Sequence, residues 1–214
     1  MAARMTSIVV IPARMASTRL PNKPLADIHG RPMIAWVVAL AQRADVGPVL
    51  VAAAEPEIAE AARAAGAEAV LTDPALPSGS DRMHAALAAF DPGGRYDVAI
   101  NLQGDMPTMA AADVARAVAA LKPGADIATL VSPSSDDAER NNPNVVKAIR
   151  AADGRCLAFT RAPAPWGEGP IDSVESVWLN DEAFAGTVTH YLGTSGQTVN
   201  STLGVMFGGN WGGD

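Results

Sequence analysis

A short apolar run followed by a basic loop constrains the fold more than any other feature of this chain. Residues 8–11 are Ile-Val-Val-Ile, and such a β-branched run predicts a strand buried on both faces, as in parallel sheets. The strand is expected to break at Pro12, before a loop that carries Arg14, Arg19 and Lys23. Open α/β sheets bind ligands beyond the carboxyl ends of their strands. We therefore predict that this loop binds an anion such as a phosphate and is not merely a solvated basic turn.

Strand and helix signals alternate through the first two thirds of the sequence. Strands are predicted at residues 49–53, 69–71, 98–102 and 127–131, and helices at residues 32–41, 55–65, 81–90 and 111–122. Gly30 is expected to turn the chain before the first helix, and Gly66 to end the second. This alternation predicts an α/β fold with a mostly parallel, Rossmann-like sheet and helices on both faces.

The C-terminal part has a different composition. Residues 183–213 contain no Asp, Glu, Lys or Arg and are rich in Gly, Thr, Ser and Asn. An uncharged surface of this length is unusual in a soluble domain. We therefore predict one α/β domain over residues 1–182 and a separate Gly/Thr-rich segment over residues 183–214.

Charge and cysteine content exclude several classes of protein. A net charge of −7 over 214 residues argues against a nucleic-acid surface, whereas cations concentrated in one loop suit a small anionic ligand. The single cysteine, Cys156, excludes a disulfide framework and is expected to be a packed, unreactive thiol. No Cys/His spacing typical of zinc occurs. The sequence shows no signal peptide and no apolar run long enough to span a bilayer. We therefore expect a cytoplasmic protein without membrane association.

The segment VVIPARMASTRLPNKPL, residues 9–25, resembles the signature of the 3-deoxy-manno-octulosonate (Kdo) cytidylyltransferases. Acylneuraminate cytidylyltransferases share Pro-Ala-Arg but usually continue with a Gly-Gly-Ser-Lys-like stretch. Further matching segments are PSGSDR (77–82), NLQGDMP (101–107), NPNVVK (142–147) and FTRAP (159–163). The resemblance extends to about residue 166, so residues 183–214 form a divergent segment. It implies a nucleotide-diphospho-sugar transferase fold.

The activity that this resemblance implies is transfer of CMP from CTP to the anomeric hydroxyl of Kdo, with release of pyrophosphate, for lipopolysaccharide synthesis. It also implies Mg²⁺ as cofactor and a homodimer. Two alternatives stay open. In the first, the chemistry is the same but the sugar acid is of sialic or amino-Kdo type. In the second, the chain binds CTP without turnover, because the family's second metal carboxylate belongs to a Val-Asp-Thr-like segment that is not found in residues 183–214.

By the same resemblance, Arg14 and Lys23 hold the triphosphate and Asp105 binds the metal, and these are the expected catalytic residues. Asp105 alone, between Gly and Met-Pro, would be more typical of a turn. The residues expected to bind the nucleotide are Pro12, Ala13, Arg14, Ser17, Lys23, Gly79, Ser80, Arg82 and Gln103. Ser17 is equally suited to a local turn hydrogen bond, and Ser78 or Ser80 to capping the helix that follows.

Arg161 and His190 are the residues expected to bind the sugar acid. The guanidinium fork of Arg161 suits a carboxylate, although a surface ion pair would be the ordinary expectation without the resemblance. Lys147 either faces the same pocket or caps its strand. Met106 replaces a Glu that is usual in the family. His29 and His84 are expected to be structural.

Overall fold

The computed structural model describes residues 5–16, 20–121, 125–132, 136–151 and 153–163, together with three short strands farther along the chain. The chain divides into two compact units, residues 1–120 with 204–214 and residues 121–203. The domain boundary expected after residue 182 stays a prediction. Within the described residues, no helix is both long and apolar enough to cross a membrane.

Strands and helices alternate along the first unit. Its elements are β1 (Ser7–Ala13), a 3-10 turn (Lys23–Leu25), β2 (Asp27–Ile28), β3 (Arg31–Pro32), α1 (Met33–Ala44), β4 (Val49–Ala53), α2 (Pro56–Ala64), β5 (Glu68–Leu71), α3 (Gly79–Phe90), β6 (Val98–Asn101) and α4 (Ala111–Ala120). Strands β5, β4, β1 and β6 lie side by side in that order and run parallel. Their carboxyl ends therefore share one edge of the sheet.

The second unit is described over shorter elements. They are β7 (Ile127–Ala128), α5 (Asp137–Asn141), β8 (Lys147–Arg150), β9 (Cys156–Thr160), β10 (Trp178–Leu179) and β11 (Glu182–Ala183). β8 and β9 form an antiparallel pair, as do β10 and β11. A last strand, β12 (Met206–Gly208), returns to the first unit and pairs antiparallel with β6. β7 ends at Ala128, so it is shorter than the strand expected at residues 127–131.

The core of the first unit confirms the predicted α/β class. Residues 8–11 of β1 have no exposed surface. Since side chains alternate across a strand, Ile8 and Val10 share one face, where they cluster with residues of α3 such as Met83. Val9 and Ile11 are equally buried on the opposite face, and α1 packs against β1 and β4. The sheet is thus covered by helices on both faces.

The expected break at Pro12 is wrong, because β1 continues through Ala13, and Pro12 pairs with Ala52 of β4. Successive residues of β1 direct their backbone N–H and C=O groups alternately toward β4 and toward β6. Ala13 O accepts from Ala54 N on the β4 side, at 3.0 Å, and Val10 O accepts from Leu102 N on the β6 side. By this alternation Pro12 faces the β6 side, beyond the last β1–β6 pair at Val10. Its missing N–H therefore costs the sheet no hydrogen bond.

Candidate active site

Two loops lie against the carboxyl end of β1. A Cβ added to Gly104, in the loop after β6, would lie 3.0 Å from the Pro12 carbonyl oxygen. A Cβ on Gly79, the first residue of α3, would lie 3.4 Å from Pro12 Cγ. Glycine at 104 allows this close approach of two backbones. The loop after β6 and the start of α3 therefore flank the point where the basic loop begins.

An ion pair joins the loop after β1 to the loop after β6. Lys23 Nζ lies 2.6 Å from Asp105 Oδ2, and the two side chains are 31% and 42% exposed. The exposure leaves both groups accessible to a ligand, and it makes the pair itself a small contribution to stability. The structure thus brings together the cation and the carboxylate that were expected to share one site.

Arg14 is exposed directly after β1, whereas Arg82 is buried. Burial lowers the pKa of Arg82, the charge of Arg14 lowers it further, and the carboxylates of Glu55 and Asp73 act in the opposite direction. Like charges disfavour each other's ionised form, so the effect of Arg14 on Arg82 shows that both cations lie at this edge, together with the carboxylates of Glu55 and Asp73. Positive charge there favours an anionic ligand.

The guanidinium of Arg82 already has protein partners. It donates to Thr72 Oγ1 at 2.6 Å, to the Asp73 carbonyl at 3.0 Å and to the Pro74 carbonyl at 3.3 Å. Only 2% of the residue is exposed. These contacts tie α3 to the segment that follows β5. A direct contact of Arg82 with the nucleotide stays a prediction, and the observed contacts give the residue a structural role.

The other residues expected at the nucleotide surround this edge or fall outside the description. Pro12 and Ala13 are buried, Gly79 and Ser80 are exposed in the first turn of α3, and Gln103 is half-buried. Ser78, not Ser80, caps α3, because Ser78 Oγ accepts from Asp81 N at 3.1 Å. Ser17, Arg19 and His190 lie outside the described residues.

Sequence reasoning missed Glu55 as part of this edge. Its Oε2 accepts a hydrogen bond from Met15 N at 2.9 Å, across 40 residues of sequence. The sequence indicated only that this residue begins a helix. The available signal was topological, because residues that follow two paired parallel strands leave the sheet at the same edge.

In the second unit, Lys147 caps backbone carbonyls. It is 1% exposed, and its Nζ donates to the carbonyls of Asn142, Val145 and Arg161 at 2.6, 2.9 and 2.9 Å. Arg161 is exposed, and its Nη1 donates to the carbonyls of Pro143 and Asn144 at 3.2 and 3.3 Å. Of the two roles considered for Lys147, the structure thus supports the structural one. Sugar-acid binding by Arg161 stays a prediction.

Asp105 is suited to bind a metal together with a ligand's phosphates. The described residues contain no group of three or more His, Cys, Asp or Glu that would hold a metal ion by themselves. Mg²⁺ commonly binds through one or two carboxylates while substrate phosphates and water supply its other ligands. Asp105 offers one accessible carboxylate beside Lys23. The neighbouring Met106 is only 9% exposed.

Cys156 is expected to react slowly with alkylating reagents. Burial raises the pKa of its thiol from 9.0 to about 11, because burial penalises the thiolate. At pH 8 the reactive thiolate is therefore about a hundredfold rarer than in an ordinary thiol. Iodoacetamide should label the folded chain about a hundredfold more slowly than the chain unfolded in urea, which serves as its control. Equal rates would contradict the protection, and the reading is unambiguous because the chain has one cysteine.

Comparison with known proteins places this edge in a family context. The Cytidylyltransferase family model matches residues 8–184. A 3-deoxy-manno-octulosonate cytidylyltransferase of Rhodospirillum centenum is 56% identical over 176 residues, which are 79% of this chain and 68% of that protein. A 3-deoxy-manno-octulosonate cytidylyltransferase of Parvibaculum lavamentivorans is 59% identical over 169 residues, which are 77% of this chain and 66% of that protein. The chain thus spans about two thirds of these relatives' length.

A solved structure gives the same result. It is a CMP:2-keto-3-deoxy-manno-octonic acid synthetase complexed with CTP, with a TM-score of 0.69 and 35% identity, covering 75% of this chain and 66% of that one. The family model covers most of the sequence, and it includes all of β1 except Ser7, the loop after β6 and Arg161. The resemblance inferred from residues 9–25 is therefore confirmed. The chain belongs to the cytidylyltransferase family and, within it, to the 3-deoxy-manno-octulosonate cytidylyltransferases.

Proposed function

We propose that this chain transfers CMP from CTP to the anomeric hydroxyl of Kdo and releases pyrophosphate. The observation that carries the proposal is the 56% identity, over 79% of the chain, to a protein named 3-deoxy-manno-octulosonate cytidylyltransferase. The geometry agrees with it, because Lys23 and Asp105 meet at the carboxyl edge of the sheet with Arg14 nearby. Triphosphate chemistry needs such a set of cations beside a carboxylate.

In this proposal the chain mainly supplies position and charge. The sugar hydroxyl attacks the α-phosphorus and gives its proton to solvent water. The bond between the α-phosphorus and the oxygen shared with the β-phosphorus breaks, and its electron pair leaves with pyrophosphate. Lys23 and Arg14 stabilise the negative charge that grows on this leaving group. Mg²⁺, held by Asp105 and the phosphates, would neutralise further charge on the phosphate oxygens.

The ion pair between Lys23 and Asp105 has to open when the nucleotide binds. Lys23 then exchanges a carboxylate for phosphate oxygens, and Asp105 becomes available to the cation that accompanies them. Because both side chains are part-exposed, this exchange needs no rearrangement of the core. Before the ligand arrives, the pair engages both groups.

Further properties are proposed from the family resemblance. We propose that Arg161 binds the sugar carboxylate, that the product enters lipopolysaccharide synthesis, and that the protein is a cytoplasmic homodimer. Light scattering of the purified chain tests the dimer, which predicts twice the mass of the 22.0 kDa chain. A monomeric mass across the working concentration range would overturn this part.

Pyrophosphate release tests the function directly. We expect release with CTP and Kdo in the presence of magnesium, and background release when either substrate or the metal is omitted. Replacing CTP by UTP, and Kdo by a sialic acid or an amino-Kdo, tests selectivity for the base and the sugar acid. A chain that binds CTP in calorimetry but releases no pyrophosphate would be a CTP-binding protein without turnover.

Replacing Arg14 by Ala is expected to lower turnover at least tenfold. Its guanidinium would form charge-assisted hydrogen bonds to the triphosphate, each of which stabilises by about 1.5–3 kcal/mol. The measurement is the steady-state rate of pyrophosphate release. Arg43→Ala is the matched control, because Arg43 is also exposed but lies in the last turn of α1, which leads to the amino end of β4. Wild-type rates in Arg14→Ala would contradict the assignment.

A further inference from the structure

Glu55 occupies the N-cap position of α2, but its side chain does not cap that helix. The usual N-cap residues are Ser, Thr, Asp and Asn, whose short side chains reach the first backbone N–H groups of the helix. The Glu55 carboxylate instead reaches the loop after β1, where Oε2 accepts from Met15 N at 2.9 Å. The half-buried side chain therefore serves a segment 40 residues earlier in the sequence.

This bond completes a pair of anchors around Arg14. On one side, Ala13 O accepts from Ala54 N at 3.0 Å, which extends the β1–β4 pairing by one residue. On the other side, Met15 N is held by Glu55. Arg14 lies between the two anchors, so its backbone is fixed although its side chain is exposed.

The charge of Glu55 makes this placement informative. Its carboxylate lies in the field of Arg82, whose pKa it raises, while Arg14 lowers that pKa. Unlike Asp105, Glu55 is not assigned to the metal, and a carboxylate that binds no metal repels a triphosphate, so nucleotide binding alone gives no reason for its presence. The hydrogen bond from Met15 N provides one, since it holds the backbone directly after Arg14.

We infer that Glu55 is a positioning residue, which holds the backbone beside Arg14 through the bond from Met15 and thereby raises the affinity for the CTP triphosphate. The inference rests on the proposed function, which assigns the triphosphate to Arg14. This positioning role of Glu55 needs the acceptor oxygen of its side chain and does not need the negative charge.

Two substitutions separate the bond from the charge. Glu55→Gln keeps an acceptor oxygen at the same reach and removes the charge, and we expect a dissociation constant for CTP within twofold of the unchanged chain. Glu55→Asp keeps the charge but shortens the side chain by one methylene, about 1.5 Å. Because Asp is a preferred N-cap, this variant should fold. We expect its CTP dissociation constant and its KM for CTP to rise about fivefold, with the KM for the sugar acid unchanged.

Calorimetry with CTP and steady-state kinetics provide the readouts, and thermal unfolding checks that each variant is folded. Glu57→Asp is the matched control, because Glu57 is an exposed acid in the first turn of the same helix. Normal CTP affinity in Glu55→Asp would overturn the inference, as would weak binding by Glu55→Gln. If the unchanged chain binds no CTP, the proposed function fails, and the inference fails with it. CTP binding that is retained by both Glu55 variants overturns the inference alone.

Discussion

Replacing Asp105 by Asn is expected to lower turnover on the order of a hundredfold while CTP binding without metal stays as tight or becomes tighter. Asn loses the charge that suits a hard cation, so magnesium and the phosphates it carries are held less well. The same change releases Lys23, whose ammonium is paired to this carboxylate at 2.6 Å in the free protein. A cation freed from its partner is available to the triphosphate at once.

The opposite signs of the two effects make this experiment specific. Pyrophosphate release gives the loss in turnover, and calorimetry with CTP in the presence of a chelator gives the metal-free affinity. Asp113→Asn is the control, because it also breaks an ion pair, between Asp113 and Arg116 on α4, at 2.7 Å. If metal-free CTP binding weakens in Asp105→Asn as much as turnover does, the carboxylate orders the site in another way. Unchanged turnover would exclude Asp105 as the metal ligand.

Much of the sheet edge was predictable because it depends on local patterns. The β-branched run gives β1, and β4 is found at residues 49–53 as predicted. Gly66, with φ of 88°, directly follows the turn that ends α2. Parallel strands bring their following loops to one edge, which placed Lys23 and Asp105 in one region. Their ion pair was not predictable, because it forms only if β6 lies next to β1. The local sequence pattern does not determine the order of strands in a sheet.

The error at Pro12 and the unforeseen burial of Arg82 have the same origin. Pro12 looked like the end of β1, but whether a missing N–H matters depends on which neighbour the residue faces, and the β6 pairing has already ended there. The resemblance of residues 77–82 to a family loop predicts a nucleotide contact for Arg82, which stays a prediction, and it does not predict the burial of this side chain. Its burial follows from the path of residues 72–74, which lie far from any pattern around position 82. Tertiary packing decides such cases.

Replacing Lys147 by Met is expected to lower the free energy of unfolding by about 2 kcal/mol. The ammonium is buried and donates to the carbonyls of Asn142, Val145 and Arg161. Methionine has a similar length but no donor, so these acceptors lose their partner. The gain from no longer burying a charge offsets part of that loss. Chemical unfolding of the variant and of the unchanged chain measures the difference.

Lys147→Met also tests whether Arg161 depends on this cluster. Lys147 holds the backbone of Arg161, and the Arg161 side chain in turn donates to the carbonyls of Pro143 and Asn144. Loosening one half of this mutual contact should raise the KM for the sugar acid about threefold while the dissociation constant for CTP stays unchanged, since the proposed triphosphate residues belong to the first unit. Arg155→Met removes an exposed cation beside β9 and should change the unfolding free energy by at most about 0.5 kcal/mol. A destabilised Lys147→Met with a normal KM would confine Lys147 to stability and would count against Arg161 as the ligand of the sugar carboxylate.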